Sequence, residues 1–108
     1  MKLRNLLIAV AGLTMAAGVA GAASAETPWQ HQHPRRVEVN HRIEHLDRSI
    51  RSERREGHLN AWQARRLRDH VHMIRFQERH FARRHGGHLT RHEQARLNHE
   101  EGGVRHRI

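Results

Sequence analysis

Residues 57–67, GHLNAWQARRL, and residues 86–97, GGHLTRHEQARL, repeat one phrase thirty positions apart: glycine, histidine, leucine, a capping residue, and Gln or Glu three further on. Asn60 and Thr90 are residues that accept a hydrogen bond from the first turn of a helix, and Gln63 and Glu93 stand where a side chain reaches back to close a capping box. Leu59 and Leu89, just before the caps, can staple against the next turn. Gly57 and Gly87 supply permissive backbone immediately upstream. Each phrase therefore encodes the end of one helix, a tight turn and the start of another. The spacing predicts a helix from Ala61 to about Arg84 and another from Arg91 to about Glu101, ended by Gly102 and Gly103. The offset superimposes Gly57 on Gly87, His58 on His88, Leu59 on Leu89, Arg66 on Arg96 and Leu67 on Leu97. It reads as a duplicated helical hairpin that shares its middle helix.

Upstream, Val39, Ile43, Leu46 and Ile50 recur at the spacing of one helix face, and Glu38 with Arg42, Glu44 with Arg48 and Asp47 with Arg51 form favourably ordered pairs four apart. These predict a first helix over Val37–Arg55. Residues 26–36, ETPWQHQHPRR, hold two prolines and no period, and are expected as a flexible arm. Before them, Lys2 and Arg4 lead an apolar run and a small-residue Ala23-Ser24-Ala25 site. This is the layout of a secretory signal peptide over residues 1–25. The expectation is an all-α protein of about three helices, built as two overlapping hairpins over residues 37–108. It would be periplasmic or secreted, with no transmembrane span in the mature chain.

Composition narrows the class. The 108 residues contain no cysteine and 13 histidines, with a formal charge of +9. Lys2 and Arg4 would leave with the signal peptide, so every basic residue of the remaining chain is arginine. Leu, Ile, Val and Phe make up about 18% of what remains, close to the composition at which chains fail to fold. Only a thin core can form, helped by a metal, a partner or self-association. Strong basicity suits polyanions. Export takes the chain away from nucleic acid and leaves acidic polypeptides and the anionic envelope surface. No nucleophilic cysteine, catalytic triad or phosphate loop is present, and no enzyme is expected.

The middle helix carries two apolar stripes. At about 100° per residue, Ala64, Leu67, Val71, Ile74 and Phe81 cluster on one side, and Trp62, Met73 and Phe76 nearly opposite. Either the flanking helices cover one stripe each, or the Trp62, Met73 and Phe76 stripe meets a homodimer mate or a client polypeptide.

The histidines invite a metal reading. His41 with His45 and His88 with His92 are the pairs spaced by four, about the number that chance yields at this frequency. A zinc or copper site needs three or four converging ligands. The best group is His85 folded across the turn toward His88 and His92; the other is His41 and His45 with Glu38. Such a site would bind Zn or Cu moderately and unselectively. Many imidazoles also imply an acid response, because protonating them adds charge to an already cationic chain.

Gly87, Leu89 and Glu93 resemble the second half of an EF-hand loop. The first half departs from it: Ala82, Arg84 and Gly86 in one copy, and Ser52, Arg54 and Glu56 in the other, stand where calcium needs oxygen ligands. Calcium is not expected. The chain also resembles small exported proteobacterial helical-hairpin proteins with a Gly-x-Leu-Thr-x-x-Glu repeat, a likeness that implies the fold and no particular activity. In Leu59 with Gln63, and Leu89 with Thr90, it is similar to the Leu-Thr-x-x-Gln signature of the Spy and CpxP periplasmic stress proteins. Asn60 replaces the threonine of the first copy and Glu93 the glutamine of the second. That resemblance implies a small helical chaperone or signalling adaptor. Three readings follow: a His- and Arg-rich exported stress or binding protein with weak metal affinity, a chaperone or adaptor for polypeptide clients, and a partly disordered polycation on anionic envelope surfaces.

Overall fold

The computed structural model describes residues 25–108; the expected signal peptide lies almost wholly outside them. The described residues form four helices: α1 Pro28–Gln32, α2 Pro34–Arg55, α3 Ala61–Arg84 and α4 Arg91–Arg107. The three long helices pack around one core in an up-down-up arrangement. Arg36 near the start of α2 grips Glu78 near the end of α3, whereas Glu38 of α2 meets Gln94 and Asn98 in the first turns of α4. Thus α2 and α4 run parallel, with α3 antiparallel to both.

The core follows the predicted faces. Val39, Ile43, Leu46 and Ile50 of α2 meet Ala64, Leu67, Val71, Ile74 and Ala82 of α3 and Leu97 and Val104 of α4, all buried, with Phe81 and Ile108 packed at the edge. Both repeated capping boxes form. Asn60 Oδ1 accepts from the Gln63 amide at 2.8 Å while Gln63 Oε1 accepts from the Asn60 amide at 2.9 Å. Thr90 and Glu93 do the same at 3.1 and 2.9 Å. Leu59 and Leu89 are buried as staples.

Three expectations need correction. The segment 26–36 contains a helix: Thr27 caps α1 in a third box with Gln30, Pro28 and Pro34 occupy first helical positions, and α2 starts at Pro34 rather than Val37. Arg35 and Arg36 hold this end by donating to the Leu89 and Gly87 carbonyls at 3.2 and 3.5 Å. Next, α4 runs through Gly102 and Gly103 to Arg107, because Val104 is fully buried two turns beyond Leu97 and tertiary packing outweighs the weak helix propensity of glycine. Finally, the two turns are one residue out of register. Gly57 has φ +82°, and the next residue, His58, donates to the Glu53 carbonyl at 2.9 Å. In the second turn Gly86 takes that left-handed position with φ +64°, and Gly87 donates to the Ala82 carbonyl at 2.8 Å. The structural counterpart of Gly57 is therefore Gly86, and Gly87, at φ +93°, is an extra residue in the longer turn.

Candidate functional site: the outward face of α3

All core residues of α3 lie on one side of the helix, and α4 packs into that same side. The second stripe is consequently left uncovered by any flanking helix. Trp62, Met73 and Phe76 are 63%, 56% and 57% exposed, whereas Trp, Met and Phe side chains are mostly buried in folded proteins. Helical spacing puts Arg65, Arg66, Asp69, His80, Arg83 and Arg84 on the same outward face, and all six are exposed. Over the 24 residues of α3 the face extends about 36 Å.

Local contacts organise this surface. The Arg66 guanidinium lies 4.9 Å from the centre of the Trp62 ring, and His80 stacks on Phe76 with ring centres 6.5 Å apart. The Arg66–Trp62 cation–π contact keeps a guanidinium charge beside the exposed indole. Two open hollows border Trp62: one of about 190 Å³ among Leu59, Gln63, Arg66, Leu67 and Arg107, and one of about 250 Å³ beside Ala61 and Arg65. Both are smaller than the usual cavity for a small organic ligand. Asp69 is the lone acid on the face.

The histidines are placed otherwise than the metal reading requires. His85 Nδ1 lies 3.2 Å from the Phe81 carbonyl and 3.3 Å from Glu93 Oε2, so it serves the end of α3 and the cap of α4. His88 turns toward α2 and stacks on His33 at 4.5 Å, and His33 stacks on Trp29 at 4.3 Å with Nδ1 donating to the Trp29 carbonyl at 2.7 Å. His92 stands exposed in the first turn of α4, and His41 and His45 are exposed on α2. Among the described residues, three His, Asp or Glu ligand atoms come within 4.8 Å of one another at Glu53, Glu56 and His58, and at no expected group. There His58 Nδ1 is already engaged by Glu53 at 2.9 Å, with Glu56 at 3.7 Å, on the exposed first turn. The spacing of 53, 56 and 58 around Gly57 was the only signal for this group.

Away from the face, two carboxyls tie the helices together, Glu78 buried and Glu38 partly exposed. Glu78 is held by Arg36 at 2.5 and 3.2 Å. Glu38 feels burial, which works to raise its pKa, but hydrogen bonds from Gln94, Asn98 and Arg42 outweigh it and hold the carboxyl below the usual glutamate value. No helix among the described residues is long and apolar enough to cross a membrane. Comparison with protein-family models, with curated proteins and with solved structures gives no match for the chain.

Proposed function

We propose that this is an exported, non-catalytic binding protein that holds acidic, partly apolar polypeptide segments on the outward face of α3. The observation that carries the reading is the exposure of Trp62, Met73 and Phe76 along one line bordered by arginines. Apolar anchors in a charged rim are the anatomy of polypeptide-binding surfaces, where Trp, Met and Arg concentrate. The polarity of the rim selects the partner. Laying this face on a second copy would oppose Arg65, Arg66, Arg83 and Arg84 to their equivalents, so a homodimer through the stripe is disfavoured and an acidic client is favoured. The apolar leader before Glu26 supports export, and the chaperone or adaptor class is the one the Leu-Thr-x-x-Gln likeness implies.

Weak Zn or Cu binding by His85, His88 and His92 is the less favoured reading, since His85 and His88 would have to leave Glu93 and His33 to converge. The test is suppression of aggregation of a denatured acidic protein, with a chelator present. Wild type should suppress it at near-equimolar ratio, and the Trp62→Ala/Phe76→Ala double variant should require about tenfold more protein while keeping its helicity. Equal activity of the two proteins, or activity only after zinc is restored, would overturn the reading.

A further inference from the structure

Glu101 is the one large polar side chain of the described residues that is buried without a partner. It lies on the inner face of α4 between Leu97 and Val104, fully inaccessible to solvent, and neither carboxyl oxygen has a hydrogen-bond partner. An ionised carboxylate in such a place is strongly disfavoured, whereas a protonated one is tolerated. The helix immediately after it is Gly102-Gly103, and a β-carbon at either glycine would meet nothing within 4 Å. The segment after Glu101 therefore contains the two residues least committed to helix, and Val104 and Ile108 are its apolar attachments to the core.

We propose that Glu101 is a proton-operated pin for the end of α4: uncharged it stays in the core, and on ionisation it swings to solvent and frees residues 102–108 from the bundle. The charges around it support this. From α2 come Arg42 and Glu38, but Arg42 Nε is already bound to Glu38 at 2.8 Å. From α4 itself come Arg105 and Glu100, both at the surface side, and Glu100 accepts from Gln77 of α3 at 3.0 Å. The charged groups of α3 nearest this level, Arg75 and Glu78, are held by Asp47 and Arg36 of α2. His70 of α3 holds Arg107 in the last turn of α4. None of these cations makes an ion pair or hydrogen bond with the buried carboxyl. Burial pushes the Glu101 carboxyl up to about 8, Arg42 and Arg105 pulling it down and Glu38 and Glu100 pushing it further up. Because the open segment would carry a glutamate of ordinary affinity, near 4.5, each rise in pH between 4.5 and about 8 favours opening, and above that the effect levels off.

The test is amide hydrogen exchange of residues 104–107 in the full chain, in wild type, Glu101→Leu and Glu101→Gln, at matched pH from 5.5 to 9. Dividing the wild-type rate by the Glu101→Leu rate cancels intrinsic base catalysis and every other pH effect that the proteins share. The ratio should rise by up to about tenfold per pH unit and flatten near 8. The rate of Glu101→Gln divided by that of Glu101→Leu should not change with pH. A wild-type ratio independent of pH overturns the pin. So does exchange at residues 104–107 that is never faster than at the α2 and α3 core amides, which would mean that this segment opens only when the whole bundle unfolds.

Discussion

At the scale of single residues, burial separates ionic contacts that look alike on paper. Arg36 with Glu78 and Arg42 with Glu38 are both Arg–Glu pairs, yet Glu78 is 2% exposed and Glu38 is 38% exposed at the side chain. Arg36→Ala would leave the Glu78 carboxylate buried with no partner, and urea unfolding should show a loss of about 3–5 kcal/mol. Arg42→Ala removes a half-exposed pair within one helix and should cost no more than about 1 kcal/mol. Glu101 makes the opposite prediction. Its raised pKa means that the folded state binds the extra proton, so stability is greatest below about pH 4.5 as far as this group is concerned and falls as pH rises toward 8. The slope is up to about 1.4 kcal/mol per pH unit. Glu101→Leu should remove that slope and raise the thermal midpoint at pH 8. Glu38 runs the other way, its lowered pKa contributing stability above 4.5 that is lost as pH falls. Of these contacts only Glu38 with Arg42 was legible in the sequence, from its spacing of four; which acids are buried depends on how α3 and α4 pack, which no local signal carries.

At the scale of elements, the caps are the most transferable feature. Thr90→Ala and Asn60→Ala should each cost about 1 kcal/mol in chemical denaturation. Thr27→Ala, in the same kind of box, should leave global stability nearly unchanged, because α1 contains no buried residue to couple its cap to the core. Gly102→Ala and Gly103→Ala should each stabilise by up to about 1 kcal/mol, since both positions are helical and open. The same contrast explains what could be read in advance. The boxes at 60 and 90 are local chemistry, and the starts of α3 and α4 follow from them. The box at Thr27 was equally local but sat among prolines and histidines with no apolar period to confirm a helix. The continuation of α4 past its glycines depends on Val104 finding the core, which is a tertiary fact that no local signal carries.

At the scale of the molecule, the chain builds its entire core on one side of α3 and leaves the other side to solvent. The two stripes were legible from spacing alone, but which one is covered depends on where α4 lands, and α4 joins α2 on the Leu67 side. Ring direction was likewise hidden: His85, His88 and His92 share a turn in sequence, yet His88 faces His33 across the bundle end. Because Trp62, Met73 and Phe76 are already solvated, Trp62→Ala/Phe76→Ala should change the unfolding free energy by no more than about 0.5 kcal/mol. The most direct test of the outward face as the working surface is a titration of the labelled protein with an unfolded acidic polypeptide, followed by NMR. The Trp62 indole, the Met73 methyl and the Phe76 and His80 rings should shift together and saturate with one affinity, while Ile43 and Leu46 stay fixed. Shifts confined to the His85–His92 turn, or spread over the arginines of all helices alike, would contradict it.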